Sequence, residues 1–208
     1  MSVSRETSLV WQAGAELGLR PAQLGKLLDY ADLLDSDAGR LGLIGFGRQE
    51  TSRHLIRALV LESLIDVGPS EWADVGSGAG LPGIPLTICI GSGHLIEPKR
   101  KAVGFLEKAR RVLVLDLEVA AETAESAARR GVRKKVVVAR ALASPRKALQ
   151  MCLPLCEEGG KIVLTAGPER SLGSEDLAGL PVADVRTVLL EGPLDIHQWA
   201  HIIARSPD

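Results

Sequence analysis

The order of apolar and polar residues predicts that the first part of the chain is helical. Between residues 1 and about 66, leucines recur at intervals of three, four and seven, which is the spacing of amphipathic helices. Pro21 suits the first turn of a second helix, and a third helix is predicted from about Glu50 to Leu64. Glycines between Gly39 and Gly47 interrupt this pattern and predict a loop.

From Trp72 onward, short apolar runs alternate with helical patterns. The runs predict strands at 72–75, 94–97, 118–120, 135–139 and 160–166. The helical patterns between them lie at about 84–90, 99–115, 122–131 and 145–156. Such alternation is typical of an α/β fold, a mostly parallel sheet with helices on both faces. Two further runs, 182–190 and 199–204, bring the expected number of strands to seven, with the last one antiparallel.

We therefore expect one compact unit in which a helical N-terminal extension, 1–66, packs on a Rossmann-like domain, 67–208. A chain of 208 residues with 46% apolar residues is long enough for one full core, and with only 3% aromatic residues that core is aliphatic. No apolar run has the length of a signal peptide or a membrane span. Three cysteines, an odd number, argue against a disulfide framework. These features predict a cytoplasmic protein with no membrane partner.

The net charge of −1 conceals an uneven distribution of charges along the chain. The segment from Lys99 to Lys147 contains 14 Lys and Arg residues against 5 Asp and Glu residues. A basic segment in a neutral chain is what a polyanion-binding surface requires, but solvated helix faces produce the same count. Charge alone favours the helix faces, because the sequence does not show whether these side chains share one surface.

The strongest local signal is the glycine-rich segment from Asp74 to Gly83, which follows a predicted strand and precedes a predicted helix. Its glycines permit a sharp turn and leave room for a ligand against bare main chain. The spacing G-x-G-x-G differs from the G-x-G-x-x-G of nicotinamide-binding folds. Glu97 ends the next strand, 17 residues beyond Gly80, where an acid can accept both ribose hydroxyls. Together these features predict a nucleoside-binding loop.

The segment Ala73–Leu86, ADVGSGAGLPGIPL, resembles the cofactor loop of the RsmG (GidB) family, and its two prolines are more specific than its glycines. That family methylates guanine N7 in bacterial 16S ribosomal RNA. The resemblance continues at Leu95–Pro98, at Ala124–Glu125, at Arg140 near the end of strand four, and upstream at Arg53–His54. It implies a class I methyltransferase that uses S-adenosylmethionine.

The resemblance also implies which residues form the site. Cofactor binding is expected of Asp74, Gly76, Ser77, Gly78, Gly80, Leu81, Glu97, Ala124, Glu125 and Arg140. RNA binding is expected of Arg53, His54 and Lys101 from the resemblance, and of Lys99, Arg100, Arg129 and Arg130 because they belong to the basic segment. Arg140 is also the candidate catalytic residue, since a guanidinium can donate to guanine O6, to a phosphate or to the cofactor. The implied partner is 16S rRNA or the small ribosomal subunit, bound by a monomer, and no metal is expected.

Guanine N7 carries a lone pair and no proton, so methyl transfer to it needs no general base and depends on positioning. Alternatives stay open because basic residues of the family are replaced by Ala102, Thr123 and Ala166. A small-molecule methyltransferase on the same fold, or a non-catalytic descendant that binds cofactor or RNA, would explain these losses. A nicotinamide oxidoreductase is disfavoured by the glycine spacing.

Overall fold

The computed structural model describes residues 5–167 and 172–207. The N-terminal extension is helical, as predicted, and its elements are α1 (Arg5–Glu16), α2 (Pro21–Leu33), a π-helical segment (Leu34–Ala38), α3 (Arg48–Leu59) and a 3-10 segment (Val60–Leu64). Pro21 occupies the first turn of α2, where its missing N–H would have no helical partner anyway.

Seven strands form one sheet in the order β3-β2-β1-β4-β5-β7-β6. The strands are β1 (Trp72–Val75), β2 (Ser92–Ile96), β3 (Asp116–Ala120), β4 (Lys134–Ala139), β5 (Cys156–Ala166), β6 (Val182–Leu190) and β7 (Gln198–Arg205). The first five are parallel, and β7 runs antiparallel between β5 and β6. The predicted number of strands and the antiparallel last strand are therefore confirmed.

The remaining helices connect the strands. They are α4 (Gly83–Ile90), α5 (Arg100–Val112), α6 (Ala124–Arg129), α7 (Pro145–Cys152) and α8 (Ser174–Leu177). Helix α4 matches its predicted bounds to within one residue, whereas α5, α6 and α7 are shorter than predicted. The largest error lies after α7, which was expected to continue to residue 156. A 3-10 turn containing Pro154 follows instead, and Cys156 already pairs with Lys134 as the first residue of β5. Proline lacks the N–H that would continue an α-helix, so the chain turns there.

Alternate strand residues point to opposite faces of the sheet and form two apolar clusters. One cluster contains Trp72, Leu95 and Val138 from the strands, and the other contains Ala73 and Val137. Helices α4 and α5 cover the first face, while α6 and α7 cover the second. The predicted helices on both faces of a mostly parallel sheet are confirmed, and the architecture is Rossmann-like.

The N-terminal extension shares the first cluster with the sheet. Leu27 and Tyr30 of α2 are fully buried in it. The amide Nε2 of Gln23 donates to the carbonyl oxygens of Ile88 (2.9 Å) and Cys89 (3.2 Å), near the C-terminal end of α4, where helix carbonyls lack intrahelical partners. Extension and sheet are thus joined by a common core and by hydrogen bonds to main-chain oxygens.

Strand β1 lies between β2 and β4, so the order of the strands reverses at β1. β2 and β3 lie on one side of it, and β4 and the later strands lie on the other. In such sheets, the crevice at the carboxyl ends of the strands is where ligands bind. No helix in the described part of the chain is long and apolar enough to cross a membrane.

Candidate functional site

A cavity of about 1020 Å³ opens at the carboxyl ends of the parallel strands. Its walls come from the segments that follow β1, β2, β3 and β4, and from residues 41–46 of the extension. This volume lies at the upper end of the range that small-molecule and cofactor pockets occupy. Residues 41–46 were predicted only as a loop, and no local sequence signal placed them over the cavity.

Gly78 is the loop glycine that faces the cavity most openly. Its φ is +55°, and a Cβ added there would meet no atom closer than the Gly76 carbonyl oxygen at 3.9 Å. A Cβ at Gly76 would lie 2.3 Å from the side chain of Leu142, and one at Gly80 would lie 2.5 Å from that of Ile84. Gly80 does not line the cavity. The structure therefore corrects the expectation for Gly80, whereas Gly76 and Gly78 both line the cavity as predicted.

Glu97 holds the glycine loop from the next strand. Its carboxylate accepts hydrogen bonds from the N–H groups of Gly78 (2.8 Å) and Lys99 (2.8 Å), one on each oxygen. The residue is buried, at 4% exposure, and lines the cavity beside the loop. Because a carboxylate oxygen can accept two hydrogen bonds, each oxygen of Glu97 keeps capacity for a ribose hydroxyl. The geometry fits the role predicted for this acid.

Asp74 lies beneath the loop and does not line the cavity. It is 1% exposed, and its Oδ2 accepts from the N–H of Gly83 at 3.1 Å. Its Oδ1 has no hydrogen-bond partner among the described residues. Burial raises the pKa of Asp74 to about 7, against smaller lowering effects from Ser77, the Gly83 N–H and Arg140. Asp74 therefore supports the loop from below, whereas direct contact with the cofactor had been expected.

Arg140 follows β4 and lines the cavity. Its Nη2 lies 2.6 Å from Nδ1 of His54, which belongs to α3. The ring of Phe46 packs on His54 with a centroid distance of 4.0 Å. Burial, followed by the charge of Arg140, lowers the pKa of His54 to about 4, so the imidazole is neutral near pH 7. Two residues predicted from distant parts of the chain thus meet, although His54 itself does not line the cavity.

Ala124 and Glu125 line the cavity at the N-terminal end of α6. Thr123, which replaces a family arginine, is the N-cap of this helix and accepts a hydrogen bond from the Ser126 N–H at 3.2 Å. Leu81 and Ser77 also line the cavity, as expected of cofactor-binding residues. The replacement at position 123 therefore has a structural role of its own.

The basic residues predicted to bind RNA separate into two groups. Lys99, Arg100 and Lys101 are exposed and line the cavity, and no side-chain partner for them is found in the described part of the chain. Arg129 and Arg130 lie at the opposite end of α6 from its cavity-lining residues, and Arg130 is bonded to Glu122 through its Nε at 3.0 Å. Arg53 is exposed on α3 and does not line the cavity.

Besides residues 41–46, sequence reasoning missed Lys147 and Tyr30. Lys147 lines the cavity as a further exposed cation, and only its place in the basic segment hinted at this. Tyr30 is fully buried, and its hydroxyl donates to the carbonyl oxygen of Ala79 at 2.7 Å, within the glycine loop. No pattern along the chain indicates that contact. The three cysteines carry free thiols, and no cluster of His, Cys, Asp or Glu suited to a metal is found in residues 5–167 and 172–207.

Comparisons with solved structures agree with the architecture. Magnesium protoporphyrin IX methyltransferase from Synechocystis PCC 6803 with bound SAM superposes with a TM-score of 0.54 at 17% identity, covering 87% of this chain and 97% of that one. MtNAS in complex with MTA and tNA gives a TM-score of 0.61 at 16% identity, covering 97% of this chain and 76% of that one. At such identities the likeness concerns the fold.

Sequence comparisons are more specific. The family model GidB, rRNA small subunit methyltransferase G, matches residues 23–174. A protein named ribosomal RNA small subunit methyltransferase G from Mycolicibacterium gilvum is 34% identical over 176 residues, which is 78% of this chain and 76% of the relative. The protein of the same name from Paramagnetospirillum magneticum is 34% identical over 162 residues, 76% of each chain. The resemblance drawn from the glycine loop, the methyltransferase class and S-adenosylmethionine as cofactor are thereby confirmed, and the chain belongs to the rRNA small subunit methyltransferase G (GidB) family.

Proposed function

We propose that this protein transfers a methyl group from S-adenosylmethionine to guanine N7 in the 16S rRNA of the small ribosomal subunit. The observation that carries the proposal is the cavity at the carboxyl ends of β1 and β4, where the open face of Gly78, the carboxylate of Glu97 and the guanidinium of Arg140 converge. Family membership supports the same substrate class.

The cavity has the features that an adenosyl and amino-acid ligand requires. The open side of Gly78 leaves space that any Cβ would fill, and Glu97 has acceptor capacity beside it. Ala124 and Glu125 would line the adenine end, and the loop residues 76–79 would face the amino-acid end. When bound, S-adenosylmethionine supplies an electrophilic methyl group on a sulfonium sulfur.

Arg140 is suited to hold the target base. One of its N–H groups is directed to His54, which leaves further donors of the guanidinium for guanine O6 or a phosphate. Because N7 has a lone pair and no proton, the chain needs to orient the base and has no proton to remove. The neutral His54 fits this role, since it fixes Arg140 and leaves the positive charge on the arginine.

The rim of the cavity carries the positive charge that an RNA substrate requires. Lys99, Arg100, Lys101 and Lys147 are exposed around one opening. Such charges neutralise phosphates and release counterions, and that gain offsets the few kcal/mol of extracting a base from a folded loop. A small-molecule methyltransferase has no need of this rim.

We further propose that the protein acts as a cytoplasmic monomer. Size-exclusion chromatography tests the oligomeric state, and cell fractionation tests the location.

The direct test is incorporation of radiolabelled methyl groups into small subunits from cells that lack this modification. We expect label in 16S rRNA at a guanine N7 with the wild-type protein, and almost none with Arg140→Ala. A thermal shift with S-adenosylhomocysteine, and none with NAD, checks the cofactor site separately. Cofactor binding without any transfer to small subunits or to naked 16S rRNA would contradict the proposed substrate.

A further inference from the structure

A second groove of about 440 Å³ lies beside the cofactor cavity. It is lined by Asp37, Arg40, Leu41, Arg100, Lys101, Gly104, Phe105 and Lys108. Three of these residues, Leu41, Arg100 and Lys101, also line the cofactor cavity, so the groove leads away from the site along α5. It contains four cationic side chains and one acidic side chain.

One face of α5 forms the floor of the groove. Lys101, Gly104 and Lys108 are spaced by three and four residues, which places them on one side of the helix over roughly 10 Å. A Cβ added at Gly104 would meet no atom within 4 Å. Glycine in a helix interior weakens the helix, and no packing contact requires it here. Its effect is to keep the space between two lysines open.

The opposite wall comes from the π-helical segment of the N-terminal extension. Asp37 is nearly buried there, with a side chain 12% exposed, and its two oxygens bind the Nζ of Lys108 and the Nη2 of Arg40. Lys108 and Arg40 are 48% and 77% exposed. One carboxylate therefore holds two cations in the groove, and both keep donors directed to solvent.

We propose that this groove binds the phosphodiester backbone of the RNA strand next to the target base. The inference rests on the proposed function and extends it to residues of the extension, Arg40 and Lys108. Guanidinium and ammonium groups along the open groove can bind successive phosphates, and the groove joins the cavity that receives the base. Asp37 lowers the net positive charge of the groove, because its carboxylate pairs with Arg40 and Lys108 and competes with a phosphate for these two cations.

The test compares Lys108→Gln and Asp37→Asn in binding to protein-free 16S rRNA fragments that contain the guanine methylated by the wild-type protein. We expect Lys108→Gln to bind roughly three- to tenfold more weakly at 0.15 M salt, with a slope of log affinity against log salt reduced by about one. Asp37→Asn is expected to change affinity in the opposite direction. Affinity for S-adenosylhomocysteine stays unchanged in both variants, because neither residue lines the cofactor cavity.

The matched controls come from the pair of Lys135 and Glu71, which lines a different groove, away from the cofactor cavity. Lys135→Gln and Glu71→Gln remove the same kinds of charge and are expected to leave RNA affinity as it is. If Asp37→Asn fails to fold, Gly104→Glu is the second test. It places an acid in open space on an exposed helical face, and we expect it to weaken RNA binding at least as much as Lys108→Gln.

RNA affinity and methyl transfer are measured separately, so the two proposals fail in different ways. Equal losses of RNA affinity in the Lys108→Gln and Lys135→Gln variants would overturn the proposed role of the groove. The methyl transfer proposed for the wild-type protein would be unaffected by that result. An effect confined to assembled small subunits, absent with protein-free RNA, would assign the groove to a ribosomal protein and also overturn it. A wild-type protein that binds rRNA through the groove without methylating it would contradict the proposed function alone.

Discussion

Arg140 donates from Nη2 to Nδ1 of His54 at 2.6 Å, and this bond joins the end of β4 to α3. Because a guanidinium only donates, we assign Nδ1 as the acceptor and place the imidazole proton on Nε2. Phe46 packs against the same ring. The helical extension therefore sets the position of a cationic side chain that lines the cavity.

His54→Ala is expected to lower methyl transfer by roughly tenfold to a hundredfold, since a hydrogen bond to a charged group contributes about 1.5–3 kcal/mol. Affinity for S-adenosylhomocysteine is expected to change little. Single-turnover transfer to small subunits and calorimetric binding give the two values. His197→Ala, at an exposed histidine, is the control. If His54 acts through Arg140, its substitution adds little in the Arg140→Ala background.

Gly78→Val is expected to abolish cofactor binding, because the branched side chain would enter the open space beside the loop. Gly159→Val is the matched control, since Gly159 has a φ of +69°, also faces open space and lies outside the cofactor cavity. Both variants carry the backbone strain of a non-glycine residue at positive φ, on the order of 1–3 kcal/mol. Equal cofactor affinities in the two variants, measured by calorimetry, would contradict the placement of Gly78.

Tyr30→Phe removes the donor to the Ala79 carbonyl and leaves that buried oxygen without a hydrogen bond. We expect a loss of about 1–3 kcal/mol in the free energy of unfolding, together with weaker binding of S-adenosylhomocysteine, because the loop loses its anchor. Ser63→Ala removes a hydroxyl that donates to the Val60 carbonyl oxygen, at a position that does not line the cavity. It is expected to affect stability without affecting cofactor affinity. Denaturant unfolding and calorimetry separate the two effects.

Asp74 makes stability depend on pH in a defined direction. Burial raises the pKa of its carboxyl group from an ordinary value near 3.8 to about 7. Its contribution is therefore complete below about pH 4 and is lost as pH rises through 7. Relative to Asp74→Asn, the wild-type protein is expected to lose on the order of 2–4 kcal/mol between these values. His54, whose pKa is lowered to about 4, acts in the opposite direction, but it is present in both proteins and cancels in the difference.

Urea unfolding of the wild-type protein and Asp74→Asn at several values between pH 4 and pH 8 measures that difference. Asparagine keeps an oxygen that can accept from the Gly83 N–H, so the loop contact survives the substitution. Two parallel stability curves would show that the Asp74 carboxyl has the same pKa in the folded and unfolded chains.

Gly104→Ala is expected to stabilise the protein by about 0.5–1 kcal/mol, because alanine has the higher helix propensity and the added Cβ meets no atom within 4 Å. Gly93→Ala is the contrasting variant, since a Cβ there would lie 2.3 Å from Thr87 and 2.9 Å from Trp72. Thermal unfolding orders the three proteins. A destabilised Gly104→Ala would mean that the floor of the groove is already packed.

Local patterns predicted most of the fold because most strands contain a short apolar run bounded by turn residues. The start of β5 was not predicted, because its first residues after Cys156 are two glutamates and two glycines rather than an apolar run. Cys156 belongs to the strand because it pairs with Lys134 of β4, and a register shift separates this pair from the next one, Val136 with Lys161. Periodicity along the chain does not contain that relationship. The glycine loop and Glu97 were predictable because both stand at a fixed place relative to a strand end.

The contacts that complete the site join residues far apart in the chain. His54 and Arg140 are separated by 86 positions, and Tyr30 bonds to the loop across 49. Neither contact follows from helical or strand spacing, although the family resemblance named His54 and Arg140 separately. The prediction that Gly80 contacts the cofactor was wrong for a related reason. Only the folded core shows that the side chains of Ile84 and Leu106 fill the space beside Gly80.

The central position of β1 determines when the molecule can assemble during its own synthesis. β4, one of its two neighbours, begins at Lys134, about 60 residues after β1 ends, and Arg140 lies later still. Until that stretch leaves the exit tunnel, the apolar sides of Leu27 and Tyr30 lack part of the cluster that buries them. A nascent chain arrested before Lys134 would therefore be a client for chaperones, with neither a closed core nor a place for the nucleoside.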